Sequence, residues 1–366
     1  MTSPLDIATR ILDASPSVPA PVTLEIYPTL RCNLDCKFCD TTDRHRPPQD
    51  ELPPEEWISI IDEAADIGAQ QIFVLGGGEP FIYPRLLELL ETAKRRGLWG
   101  MLTTNGTFLN AERRQRLIAM EWDEIHISLD GASAKTHDSL RGKSGTFEKI
   151  IRSVCSFRGE KALANTDHPK IVFHWVITNQ NFREIPAAVK LAKSLGVARI
   201  DFDGLIAYTP EQTALVLNQR EQRELQNIVH LSIRLSKRLG VQTTLANHVH
   251  SNRGTAAPPS GSKPGILGAP CYKPWHHLTI QADGRTSPCC VLAGEGESIR
   301  GSSLSDFWEQ SSYLTGMRES MIAHTPPKRC QECSPNILSQ ECAIQKAMND
   351  LVAIKTQMTD RKHKST

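Results

Sequence analysis

The sequence has almost no net charge. Its 42 lysines and arginines face 41 aspartates and glutamates, leaving +1 at neutral pH. Composition therefore gives no electrostatic case for a nucleic-acid or anionic-membrane partner. It also lacks any apolar run approaching the ~20 residues of a bilayer span. The opening MTSPLDIATRILDASPSVP has no apolar signal-peptide core and reads as a short polar lead-in with a helical turn or two. No internal repeat is visible beyond an alternation of short strands and helices. A chain with neither span nor export signal is expected in the reducing cytoplasm, where clustered cysteines point to metal or catalysis rather than disulfides. The 366 residues, 39% hydrophobic and 23% charged, suit a soluble globular protein of about two domains.

What is there is ten cysteines, unevenly placed. Three lie at 32–39, one stands alone at Cys155, and six fall between Cys271 and Cys342. Two metal regions are expected, one near each end. Between them, β-rich runs recur at 23–28, 71–76, 98–105, 124–130, 170–178 and 198–206. Amphipathic stretches separate them, among them 53–68, 84–97 and 182–196, each closed by a glycine. Strand–helix alternation argues for βα units on a parallel sheet. Six units over about 185 residues are too few for a closed eightfold barrel. They fit a partial barrel or an open doubly wound sheet. Residues 210–240 read as one long helix or two, the Gly/Pro/Ser-rich 251–270 as a linker, and TDRKHKST as a frayed basic tail.

TLRCNLDCKFCDTT (29–42) follows the first strand. In βα barrels the loops after strand C-termini form the active face. Three thiolates would hold three irons of a cubane [4Fe–4S] cluster and leave the fourth open to a small molecule, whereas a purely electron-carrying cluster takes four cysteines. Zinc is the alternative; structural zinc wants four ligands, and His45 is nearby.

The spacing C-x3-C-x2-C, with Phe38 before the last cysteine, resembles the radical S-adenosylmethionine (SAM) superfamily. The resemblance implies that Cys32, Cys36 and Cys39 bind a catalytic [4Fe–4S] cluster whose open iron chelates SAM. Reductive cleavage by an electron from a flavodoxin or ferredoxin type of donor would yield a 5′-deoxyadenosyl radical, which abstracts hydrogen from substrate. VLGGGEPFIYP (74–84) resembles the family's SAM amino-group motif, which makes Gly77, Gly78 and Glu79 SAM contacts. HISLDG (126–131) brings Ser128, matched to a ribose or carboxylate contact. LRGKSGTF (140–147) brings Arg141, matched to the SAM carboxylate, for which an arginine fork is suited. The family's fifth-strand glycine-isoleucine pattern is absent, since VITNQN (176–181) stands there. Asp203 is a catalytic candidate as a lumen-facing holder of a substrate hydroxyl or amine, against a solvated or capping role. His174 and Trp175 are expected mainly in the core.

CYKPWHHLTIQADGRTSPCC (271–290), followed by Cys330-x2-Cys333, resembles the auxiliary-cluster extension called SPASM, or its shortened form, twitch. The implied ligands of one auxiliary [4Fe–4S] cluster are Cys271, Cys289, Cys330 and Cys333. The full module has seven cysteines; here only Cys342 follows Cys333. With Cys290 and Cys342 present, a two-cluster arrangement stays open, as does a four-cysteine zinc site. Cys155 reads as a buried small residue. Together the resemblances imply an α/β chain: a partial (β/α)6 TIM-like barrel with a small C-terminal Cys-rich SPASM/twitch domain. The expected segments are a lead-in at 1–21, the barrel at 22–209, a helical connection and linker at 210–264, the auxiliary domain at 265–345 and a tail at 346–366.

The implied function is hydrogen abstraction from a peptide or small metabolite, with oxidation through the auxiliary cluster. A redox-neutral epimerase using Cys290 as hydrogen donor is the alternative, and a non-catalytic metal-binding redox protein is a third reading. Sulfatase maturases place an aspartate where Cys290 stands, a departure from that subgroup. About 22 residues precede the first strand, too few for a peptide-recognition domain, so a separate recognition protein or a small-molecule substrate is expected.

Overall fold

The structure, a computed structural model, describes residues 2–15, 17–39, 48–249, 266 and 269–364. Most of the expected linker, and His45, lie outside them.

Among the described residues nine strands form one sheet: β1 (Thr23–Ile26), β2 (Gln71–Val74), β3 (Trp99–Thr104), β4 (Glu124–Ser128), β5 (Lys170–Ile177), β6 (Arg199–Gly204), β7 (Gln242–Thr243), β8 (His277–Ile280) and β9 (Thr286–Ser287). Their order is β7-β6-β5-β4-β3-β2-β1-β8-β9. Neighbours run parallel except β8 and β9, which form an antiparallel hairpin. Helices connect the parallel strands in six βα units, and the chain is the expected partial α/β barrel. The helices obey local signals. Pro54–Asp66 starts on Pro53–Pro54 and buries Trp57, Ile60, Ile61 and Ala64. Ile185–Leu195 and Gln219–Leu239 stop at Gly196 and Gly240, both left-handed. Among the described residues no helix is long and apolar enough to cross a membrane.

Three features of the backbone depart from sequence expectation. First, the C-terminal module joins the barrel sheet. β8 lies parallel to β1, in the register Thr23 to His277 and Ile26 to Ile280. All four β1 residues are buried, as for a strand flanked on both sides. Second, the lead-in is a helix of three turns, Pro4–Ala14, fixed by a capping box between Ser3 and Asp6. Third, the expected tail is helical, because Pro335–Lys364 runs on past residue 346. Its Ile344 and Met348 pack with Ile7 and Ile11 of the lead-in helix in a second core, around Tyr272 and Trp275. Cys155 differs as well. It is exposed, while its neighbours Val154 and Phe157 take the buried face of the helix.

Shared pairing makes barrel and C-terminal module one folding unit. Leu278 is fully buried between them. Leu278→Ala is expected to cost about 2–5 kcal/mol and to shift one urea transition seen alike by far-UV circular dichroism and tryptophan fluorescence. Two separate transitions, only one of them shifted, would contradict this.

Candidate active site

The cysteine loop leaves the C-terminal end of β1 and lies against the glycine turn after β2. Thr29 bridges to Gly77, Gly78 N–H donates to Thr29 O at 3.0 Å, and Glu79 N–H donates to Arg31 O at 2.8 Å. The contact leaves no room for side chains. A Cβ on Gly78 would stand 2.0 Å from Arg31 O, and one on Gly77 2.5 Å from Leu30 Cδ2. Gly77 also has φ +56°, a conformation glycine takes at no steric cost. On the far side, Asp35 N–H donates to Arg141 O at 3.2 Å and Lys37 N–H to Leu140 O at 2.9 Å. The loop is thus clamped between two others.

Cys32, Cys36 and Cys39 line one cavity of ≈ 270 Å³ with Gly77, Gly78, Glu79, Ser128 and Arg141. The structure brings these sequence-predicted residues together. Burial pushes the Cys32 thiol up and the Cys36 thiol to about 11, so these two thiols, left bare, would stay protonated at neutral pH. A single zinc needs its donors about 2.0–2.3 Å from one point. Among the described residues no group of three or more His, Cys, Asp or Glu is placed to hold a single metal ion. Three thiols around a cavity beside a side-chain-free cradle fit a multi-iron cluster with a small-molecule ligand.

The charged residues are already engaged. Glu79, 1% exposed, accepts from Thr104 Oγ1 at 2.7 Å, Asn105 N at 2.8 Å and Phe81 N at 3.2 Å. Burial raises its pKa against these bonds. Asn105 in turn points Nδ2 at Asn33 Oδ1, 2.9 Å, and at Cys32 Sγ, 3.9 Å. Glu79 therefore shapes the wall that orients Cys32. Arg141 gives Nε to Asp130 Oδ2 at 2.6 Å, pairs Nη2 with the same oxygen, and turns Nη1 to Cys36 Sγ at 3.6 Å. Its guanidinium lies over the Phe38 ring, 5.2 Å from the centroid.

Sequence reasoning passed over Asp130. It is fully buried and also accepts from Val176 N at 2.7 Å. The signal is an aspartate two residues past a fully buried strand, in HISLDG. His137 Nδ1 accepts from Asp130 N at 3.1 Å, and burial lowers the His137 pKa to about 4.

Asp203 is not an open lumen carboxylate. Its Oδ2 lies 2.9 Å from His174 Nε2, and its Oδ1 accepts from Ser334 Oγ and Asn336 Nδ2, each 2.8 Å. Burial opposes charge on the pair. Their contact nevertheless holds Asp203 below the usual carboxyl range and lifts His174 above the usual imidazole value. His174 lines the cysteine cavity rather than the core. Trp175, beside it, is fully buried.

A second cavity of ≈ 460 Å³ lies between the barrel mouth and the C-terminal module, lined by Tyr27, Ile206 and Tyr208 on one side and Cys290, Arg329 and Ser334 on the other. Phe38 and Val176 line both cavities, so the two adjoin. Cys271, Cys289 and Cys330 sit against the second core, and Cys333 is partly buried. Cys290 faces the chamber instead. Cys342 is exposed.

Residues 26–192 match the family model of the radical SAM superfamily, and residues 271–334 match SPASM, an iron-sulfur cluster-binding domain. The chain is 27% identical to an AdoMet-dependent heme synthase of Methanosarcina barkeri, over 80% of this chain and 83% of that protein. It is 26% identical to a PqqA peptide cyclase of Rhizobium meliloti, over 87% and 80%. In fold it is similar to Streptococcus suis SuiB bound to S-adenosylmethionine, with TM-score 0.63 and 18% identity over 85% of this chain and 70% of that one. It is equally similar to anSMEcpe with bound AdoMet, with TM-score 0.63 and 15% identity over 93% and 100%.

Asp130→Asn should cost about 3–5 kcal/mol in urea unfolding, because it leaves the buried Arg141 charge uncompensated. The double substitution Asp130→Leu with Arg141→Met should recover most of that loss. If the single and double variants were equally unstable, the pair's charge would not be the cause.

Proposed function

Because this chain belongs to the radical SAM superfamily and carries a SPASM domain, we propose that it is an enzyme that abstracts hydrogen from a peptide side chain or small metabolite and oxidises it. The supporting observation is the pair of adjoining cavities. One is bounded by the three cysteines; the other is closed by the auxiliary-cysteine module. When bound, the catalytic cluster with SAM supplies a hydrogen-abstracting radical, and an auxiliary cluster supplies an electron sink. Cys32, Cys36 and Cys39 would hold the first, and Cys271, Cys289, Cys330 and Cys333 the second.

The chain's own residues bind and orient. Gly77 and Gly78 open the cradle to the SAM amino group, Ser128 lies on the wall toward the ribose or carboxylate, and Glu79 fixes the rim through Asn105. Arg141, anchored on Asp130, has one guanidinium nitrogen directed at the cavity's sulfur side, which suits a nearby carboxylate. Phe38 and Val176 form the partition across which a substrate hydrogen meets the SAM side. The larger chamber lies within the roughly 300–1,000 Å³ of small-molecule sites, enough for a metabolite or for one or two residues of a peptide. A donor of flavodoxin or ferredoxin type completes the reductive step. Oxygen-sensitive clusters and free thiols suit a reducing cytoplasm.

Cys290 favours a second reading. Its thiol lines the substrate chamber, where it would return a hydrogen atom to a substrate radical. The overall reaction would then be a redox-neutral epimerisation.

The anaerobically reconstituted protein should hold about eight irons with matching sulfide, from two cubanes. Replacing Cys32, Cys36 and Cys39 together by alanine should leave about four and abolish dithionite-driven 5′-deoxyadenosine formation. One zinc without sulfide, or cleavage surviving in the triple variant, would overturn the assignment.

Cys290→Ala separates the two outcomes. With oxidation, product and rate are unchanged. With epimerisation, product is lost, and the wild-type product carries solvent deuterium at one carbon.

A further inference from the structure

A basic hollow lies on the barrel surface behind the cysteine loop. It is a cavity of ≈ 430 Å³, with Thr107, Phe108 and Arg113 on one wall and Lys149 and Arg152 on the other. Three of its lining residues are basic and none is acidic. Lys149 and Arg152 stand three apart on the helix Thr146–Leu163 and both are exposed, so they share one face. Arg113 is on the helix Ala111–Ala119. Neutral groups fix its guanidinium. Nη1 donates to Phe108 O at 2.9 Å and Nη2 to Phe81 O at 3.4 Å. The Phe81 and Phe108 ring centroids lie 4.8 and 5.5 Å away.

Little negative charge opposes these cations. Arg152 meets Glu148 at 3.4 Å, an exposed pair that contributes little in water. Among the described residues Arg113 and Lys149 have no carboxylate within ion-pair distance. Glu112 and Glu148, in the first turns of the two helices, do not line the hollow. Lys143, exposed just before the second helix, reaches Asn33 O at 3.4 Å. Positive charge therefore continues to the cysteine loop itself.

The wall of the hollow is also the back of that loop. Thr107 Oγ1 donates to Asn105 Oδ1 at 2.7 Å and accepts from Asn33 Nδ2 at 3.0 Å. Asn105 Nδ2 reaches Cys32 Sγ at 3.9 Å, and Asn33 follows Cys32 in the chain. One layer of hydrogen-bonded side chains separates the hollow from a cluster cysteine. No lining residue is shared with the cysteine cavity or with the larger chamber, so a partner seated here leaves both open.

We propose that this hollow is the docking face for a small acidic electron-donor protein, whose electron enters the catalytic [4Fe–4S] centre past Thr107 and Asn105. The inference rests on the radical SAM reading above and gives its donor a place. One electron leaves the reduced donor and one enters the cluster; no bond on this chain forms or breaks. Fixed cations steer a carboxylate-bearing partner and speed its association, and salt screens the effect. A small, charged face suits a transient electron-transfer encounter.

The test compares two reductants on the anaerobically reconstituted full chain with SAM. One is a photoreduced flavodoxin of net negative charge; the other is dithionite, which needs no docking face. Lys149→Glu with Arg152→Glu should raise the flavodoxin concentration for half-maximal 5′-deoxyadenosine formation about tenfold at low salt. Flavodoxin binding, followed by fluorescence anisotropy, should weaken in step, while dithionite-driven formation and iron content stay at the parent's values. Lys149→Arg should behave as the parent. The same reversal at Lys190 and Lys193, exposed on the helix Ile185–Leu195, should leave the flavodoxin dependence unchanged. Unchanged flavodoxin binding and dependence in the Lys149, Arg152 variant overturns the inference. So does an equal loss with dithionite, or an equal loss from the Lys190, Lys193 variant, which would mark a response to net charge alone. If the double variant loses iron, Arg152→Glu alone decides by the same measurements. A parent forming no 5′-deoxyadenosine with dithionite would instead overturn the radical SAM reading on which the inference rests.

Discussion

Strand β1 has a parallel neighbour on each side, and the rest of the site depends on that. β2 and β8 pair with the same four residues in register. Outside the strands, Val22 N–H donates to His276 O at 2.8 Å and Tyr27 N–H to Ile280 O at 2.9 Å, extending the seam past both ends. The cysteine loop leaves the end of β1, the glycine turn leaves β2, and the hairpin carrying Cys289 and Cys290 leaves β8. Sheet register, rather than linker length, therefore sets how the two groups of thiols stand to one another. Burial explains why the seam holds, because a strand of four buried residues has no exposed edge to leave unpaired.

The same seam organises the charges. Glu25 of β1 meets His277 of β8 across it, and Lys273 lies behind. On the other side of the barrel, Asp130 after β4 holds Arg141, and Glu79 after β2 holds Thr104 and Asn105 at the end of β3. Each buried carboxylate has donors, as burial requires. Such networks are weak contributors to stability and stronger contributors to a single geometry. Here they fix Asn105 against Cys32 and Arg141 against Cys36, so the thiols have directions of their own from the protein.

Much of this was legible because it is local. Strand runs, glycine stops and the triple-cysteine loop all lie within windows of a few residues, and the six βα units follow from them. Long-range pairing left no such trace. Nothing in TLEI or HLTI names the other as its neighbour, 254 residues away. The ordinary residues of the lead-in and the C-terminal helix read as loose ends because their buried partners, Ile7 and Ile344, are each other's. Arg141 was found as a cavity residue, but its anchor was not, because an aspartate after a strand looks like any turn residue. The Cys289–Cys290 pair could be split only by seeing which of the two faces the chamber.

Chamber chemistry follows from what is already committed. Both Asp203 oxygens accept hydrogen bonds, from His174, Ser334 and Asn336, and a carboxylate stabilised in its charged form is a poor base. Asp203 is better described as the tie between β6 and the loop that follows Cys333, with His174 presented to the cysteine cavity. The Tyr27 hydroxyl is given to Glu25. Cys290 also lines the chamber, with no hydrogen bond from its S–H to any of the described residues, and it stands on the auxiliary module's face of the chamber. The oxidative and redox-neutral outcomes therefore diverge at one wall. There a substrate radical meets either a path for its electron or a hydrogen atom, and the barrel beneath is the same for both.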